Sequence, residues 1–271
     1  MKRKKWIVDT TLRDGEQCPG IAFQEEDKVR LALLLEKAGV YELEAGIADM
    51  AIENAHCVSQ ILSKRKTAMI SVWCRMIPEE VEAACILQPD IIHIGVPVSY
   101  VQIYTKLRKN KVWVQRQLLA CLNTALKYRV KLTIGLEDAT RSDLGFMLSI
   151  IRELNQAGVN RVRVADTVGI ITPDRGEQII RDIRKNFETL EIETHEHNDI
   201  GMAVANSIVL SNAGADYIDC TLLGIGERAG NCNLGDFLHA SEHIFDCGIQ
   251  KDIMKEAEET MIQIIGNGFH R

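Results

Sequence analysis

With 271 residues, 46% hydrophobic and 26% charged, the chain has the length for one large α/β domain or two small ones, and enough apolar residues for a sizeable core. A net charge of -6 and a pI near 5.7 argue against a nucleic-acid groove and leave room only for a local basic pocket for an anionic substrate. No stretch approaches a membrane span, and the apolar residues after the basic start are too few for a signal peptide, so a cytoplasmic protein binding neither membrane nor nucleic acid is expected.

Residues 6–11 read as a short buried strand, and the glycines that follow force a loop, so Arg13 and Asp14 fall at that strand's C-terminal end. Residues 24–38 place Leu31, Leu34, Leu35 and Ala38 on one helix face, with Gly39 as the stop. Further strands are expected at 41–45, 68–74, 91–96, 131–137, 161–166, 191–197 and 217–221. The turns Ala38-Gly-Val40, Ala157-Gly-Val159 and Ala213-Gly-Ala215 repeat one helix-to-strand junction. Eight strands alternating with amphipathic stretches, uninterrupted by any linker, predict an α/β fold, a single-domain (β/α)8 TIM barrel over 1–271, rather than an open doubly wound sheet.

In such a barrel the strand interiors should be apolar and the chemistry should sit at strand C-terminal ends. Arg13, Asp14, Glu44, Cys74, Arg75, Glu137, Asp138, Asp166, Thr167, His195 and His197 all fall at those ends. His195 and His197 are two apart, so on a strand they point to the same side. With Asp14 they offer one carboxylate and two imidazoles to a divalent cation that keeps open positions for substrate oxygens. The loop at 224–231 has the spacing G-x-G-x-x-x-G and fails the dinucleotide fingerprint. It is either a plain glycine turn or a close backbone approach to a ligand, with Asn231 offering a carbonyl oxygen to the metal. Eight cysteines without a C-x-x-C pair suggest free, mostly buried thiols.

Residues 9–20, 165–169, 194–201 and 224–231 closely resemble the acyl-CoA-condensing, metal-dependent barrels: the isopropylmalate, citramalate and homocitrate synthases. Within that group, 72–75, 96–99 and 136–141 look most like the homocitrate synthase of nitrogen-fixing bacteria, which supplies homocitrate for the nitrogenase cofactor. The resemblance implies an acyltransferase that condenses acetyl-CoA with a 2-oxo acid, here 2-oxoglutarate, and then hydrolyses the thioester. It also implies a divalent metal ion, with Mg, Mn and Zn not distinguished.

Carried over by position, Asp14, His195 and His197 would ligate the metal, with Asn231 nearby or as a further ligand. Arg13 would stabilise the developing alkoxide, and Glu137 would act in proton transfer at the acetyl-CoA side. Gln17 and Thr167 would hold substrate, and Arg75 and His93 would line the specificity pocket. His93, between Ile92 and Ile94, reads equally as a core histidine with satisfied hydrogen bonds. Two departures from the family pattern stand out. Ala48 occupies a usual proline position, and family members continue beyond the barrel with a helical region that reaches a neighbouring subunit's site. A homodimer, or a hetero-oligomer with a chain supplying that region, is therefore expected. A hydroxymethylglutaryl-CoA-type lyase shares barrel and triad but carries a cysteine-containing glycine loop not found here. A catalytically silent barrel partner is the remaining alternative.

Overall fold

Eight parallel strands close on themselves in the computed structural model, which describes residues 2–48 and 52–266. They are β1 (Trp6–Asp9), β2 (Glu42–Ile47), β3 (Met69–Arg75), β4 (Ile91–Pro97), β5 (Lys131–Glu137), β6 (Arg161–Asp166), β7 (Glu191–Glu196) and β8 (Tyr217–Cys220). Each pairs with the next, and β8 closes on β1 with Trp6 opposite Tyr217. All eight expected strands are present, with ends shifted by a residue or two. Asp49 and residues 267–271 lie outside the described residues.

Helices cover the outside: α1 (Glu25–Ala38), α2 (Ile52–Lys64), α3 (Pro78–Ile86), α4 (Lys111–Leu126), α5 (Leu144–Gln156), α6 (Pro173–Asn186), α7 (Ala203–Ala213), α8 (Leu234–Ser241) and α9 (Lys251–Ile265). Gln24 and Asp27 form the capping box of α1, and Gly39 ends it at φ 99°, a left-handed conformation that glycine adopts without strain. The outward-facing strand residues, such as Ile92, Ile94, Val96, Ile134 and Leu136, form the core with these helices. Seven of the eight cysteines are buried, and all eight are free.

The expectation of apolar strand interiors fails on the inward face of the barrel. On β2 and β6 to β8 charged residues alternate with the core positions and form one connected network, whereas β3 and β5 place Ser71 and Thr133 there. Arg161 pairs with Glu42 and Glu193 at 2.6 Å each, and Arg163 pairs with Glu193, with Glu44 at 2.8 Å and with Asp219 at 3.3 Å. Arg163 is 1% exposed. Ion pairing on this scale offsets part of the desolvation that would otherwise exclude such side chains, although Arg161 Nε and Arg163 Nη1 make no hydrogen bond. The network rises directly into the C-terminal mouth.

Candidate metal centre at the barrel mouth

After β1 the chain folds tightly, with the Arg13 and Gly15 N–H groups both donating to the Thr10 carbonyl, at 3.1 and 3.0 Å. That turn buries Asp14 at the mouth. Its Oδ2 accepts from Arg13 Nη1 at 2.8 Å and stands 3.5 Å from His195 Nε2, while its Oδ1 accepts from Asn231 Nδ2 at 2.9 Å. His195, in β7, and His197, just past its end, point their Nε2 atoms at each other, 3.3 Å apart. One ligand atom from each of Asp14, His195 and His197 lies within 4.8 Å of the others, and all three side chains are buried.

Asn231 joins them because His197 and Asn231 form an antiparallel bridge, so the loop after β8 is laid against the end of β7. Gly226, at φ 154°, makes the approach possible: a Cβ there would come within 2.1 Å of Asn231 Nδ2. Asn231 Nδ2 also donates to the Ile225 carbonyl at 3.0 Å, which fixes the amide's orientation. Asn231 Oδ1 and His197 Nδ1 are buried without a hydrogen-bond partner.

Burial opposes the charge on Asp14, but Arg13, His195 and His197 outweigh it and hold the carboxyl below its usual range. Burial also disfavours a charged His195, yet Asp219, 2.8 Å from its Nδ1, and Asp14 raise it to about 9. Burial and the neighbouring His195 push His197 down to about 3. A single proton thus sits where two imidazoles and a carboxylate converge. Across the connected network five carboxylates (Asp14, Glu42, Glu44, Glu193, Asp219) face three guanidiniums (Arg13, Arg161, Arg163), leaving two negative charges when the imidazoles are neutral. Orphaned Asn231 Oδ1, the donor set and this charge deficit fit a divalent cation.

The other expected residues are placed variously. Arg13 is ion-paired through Nε to Glu44 and through Nη1 to Asp14, so one arginine couples the mouth to the interior. Glu137 Oε2 accepts from the Thr167 hydroxyl at 3.1 Å, and that hydroxyl accepts from the Asp138 N–H at 2.8 Å. The Thr167 proton is thereby committed to Glu137. Gln17 is exposed on the turn beyond Asp14 and is not gathered into the buried cluster. Arg75 stands at the rim with its guanidinium held by Glu80 of α3. His93 is 1% exposed, bonds Glu44 Oε2 through Nδ1 at 2.8 Å, and leaves Nε2 buried and unpartnered. Burial and Arg163 lower it to about 4, so it is neutral at ordinary pH and belongs to the interior network. Ala48 donates its N–H to the Trp73 carbonyl at 2.8 Å, a bond that the proline usual at this position could not make.

Asp219, Arg163 and Glu193 were not among the residues singled out from sequence, although they orient His195 and Glu44. The signal for Arg163 and Glu193 was the i, i+2 recurrence of charge in Glu42-Leu-Glu44, Arg161-Val-Arg163 and Glu191-Ile-Glu193 on expected strands, whereas Asp219, between Tyr217 and Thr221, had none.

The model of the HMGL-like family matches residues 4–256. The chain belongs to the HMGL-like family. Over 257 residues it is 41% identical to the homocitrate synthase subunit alpha of Clostridium pasteurianum, covering 93% of this chain and 95% of that one. It is 36% identical to 2-isopropylmalate synthase 2 of Caldanaerobacter subterraneus, covering 94% of this chain and 66% of the relative. The solved hydroxymethylglutaryl-CoA lyase of Pseudomonas aeruginosa superposes with a TM-score of 0.87 at 19% identity, over 99% of this chain and 95% of the lyase, and so shares the barrel. Among the described residues, no helix is long and apolar enough to cross a membrane.

Proposed function

We propose that this barrel condenses acetyl-CoA with a 2-oxo acid, 2-oxoglutarate being preferred, and releases CoA by thioester hydrolysis. The observation that carries the reading is the buried convergence of Asp14, His195, His197 and Asn231, joined to Arg13, in a chain whose relatives include synthases of this kind. Asp14, His195 and His197 would hold a divalent ion, with the Asn231 carbonyl beside them, and such an ion supplies Lewis acidity toward a chelating oxo acid.

The chain's own groups do the rest. Asp219 holds His195 by Nδ1, which turns its Nε2 toward the site. Arg13 is fixed by Glu44 and Asp14 while its Nη2 takes no part in either pair, so a donor remains for the oxygen that becomes negative as the ketone is attacked. Condensation takes a proton from the acetyl methyl group and delivers one to the ketone oxygen. Glu137, oriented by Thr167, is the carboxylate we assign to that transfer. The preference for 2-oxoglutarate is supported by the likeness to a homocitrate synthase subunit. A second polypeptide completing the enzyme is supported by the coverage of a relative named as a subunit.

The test is thiol release from acetyl-CoA by the protein isolated from its own host, so that any bound second chain is retained. We expect 2-oxoglutarate to be used over 2-oxoisovalerate by a factor on the order of a hundred. Equal turnover of the two acids would overturn the choice of substrate, and no thiol release with any 2-oxo acid would overturn the reaction.

A further inference from the structure

Cations and exposed apolar side chains are both concentrated in one segment of the chain, centred on α4. Residues 91–136 contain eight lysines and arginines and no aspartate or glutamate, in a chain whose remaining residues hold 24 basic against 38 acidic side chains. The same segment carries the apolar surface. Eight of the thirteen large apolar side chains exposed among the described residues lie within 100–128.

The centre of this surface is α4. Its inner face packs into the core through Val114, Leu118, Cys121, Leu122 and Ala125. A helix on the outside of a barrel ordinarily turns a polar face to water. Here Val112, Leu119 and Leu126, 52%, 56% and 56% exposed, recur every seven residues along the outer face and span ~21 Å of helix axis. Among the described residues, no other α-helix exposes more than one large apolar side chain. A groove of about 480 Å³ runs beside the stripe, between α4 and α5, lined by Leu118, Leu119 and Leu122.

A seven-residue apolar repeat beside a groove matches the seam by which one helix receives another. Charge decides the occupant. Two copies of this face would oppose Arg116 and Lys127 with their own kind. The acidic groups at its edges are already engaged, Glu82 by the Tyr128 hydroxyl at 3.1 Å and Glu153 by Gln115 Nε2. We infer that the outer face of α4 docks an amphipathic helix of a different chain whose flanks are acidic. The assignment does not rest on the reaction at the metal cluster, which lies at the strand ends.

Two synthetic helical peptides of about 20 residues, with the same leucine seam and either glutamate or lysine flanks, test it by fluorescence anisotropy against the full chain. The glutamate peptide should bind at least about tenfold more tightly than the lysine peptide. Leu119→Asp should weaken that binding by about tenfold or more and Arg116→Glu should weaken it measurably, whereas Ile262→Asp, at an exposed position of α9, should leave it unchanged. Equal binding of the two peptides would overturn the proposal. So would binding undiminished by Leu119→Asp, which would mean charge attraction alone. A self-association of the chain abolished by Leu119→Asp would assign the face to a second copy instead, and would also overturn it.

Discussion

The Nε2 atoms of His195 and His197 stand 3.3 Å apart, with the rings perpendicular. Two bare lone pairs cannot face each other at that distance in a buried site, so one of the two nitrogens carries a proton toward the other. In the metal-free protein His195 carries that proton up to about pH 9, while His197, lowered to about 3, is neutral. Because the folded value for His195 lies above the ordinary 6.5, its charged form stabilises the metal-free fold fully below pH 6.5, and that contribution is lost as pH rises through about 9. A metal ion held by Asp14, His195 and His197 would displace that proton. Its binding should therefore release about one proton near pH 7.5, and affinity should rise with pH up to about 9. Calorimetry in buffers of different ionisation enthalpy measures this directly, and heats independent of buffer would refute it.

Arg163 should be the most costly arginine to lose. It is buried and joins Glu44, Glu193 and Asp219, so Arg163→Met leaves three carboxylates without their shared partner. A loss of about 3–5 kcal/mol in unfolding free energy is expected, measured by denaturant titration. Arg181→Ala, which removes an exposed pair with Glu177, should change stability by less than about 0.5 kcal/mol. Similar losses in both would mean that the interior network is not what holds the barrel.

Gly226→Ala tests how the fourth donor is brought in. The added methyl group would lie 2.1 Å from Asn231 Nδ2 and 3.2 Å from Asp14 Oδ1, at a φ of 154° that alanine resists. Divalent-metal affinity should fall by about tenfold or more, since Asn231 must move or the loop must open. Gly20→Ala is the control: its φ of 88° is equally unsuited to alanine, but nothing lies within 4 Å, so metal affinity should be retained.

Glu137→Gln should keep the fold and the metal while slowing thiol release by about 10²–10⁴. Glu137 lies beside Gly95 and Gly135, outside the ion-pair network, so its charge is not needed to balance the interior. Turnover equal to that of the parent protein would remove it from the reaction.

Much of this was legible in the sequence because barrels separate their signals. Apolar runs such as Ile91–Pro97 and Lys131–Glu137 announce buried parallel strands, and left-handed glycines such as Gly39 and Gly214 mark the turns between units. The two histidines of His195-Glu-His197 share a side simply through strand pleat. What stayed hidden depends on contacts across the barrel. Whether Arg161 and Arg163 lie in water or in the interior is decided by Glu42, Glu44 and Glu193 on distant strands, which local hydropathy cannot report. Arg75 shows the converse: its place at a strand end suggested a substrate contact, but Glu80, five residues on in α3, holds its guanidinium.

Asp14, His195 and His197 should bind one divalent ion, to which a 2-oxo acid is then added. Titration of the metal-stripped protein with Mn²⁺, followed by 2-oxoglutarate, tests it most directly by calorimetry. One Mn²⁺ site in the parent chain is expected, with 2-oxoglutarate binding only after the metal and Mn²⁺ affinity lowered by about tenfold or more in both Asp14→Asn and His197→Ala. Unchanged Mn²⁺ affinity in both variants would contradict it.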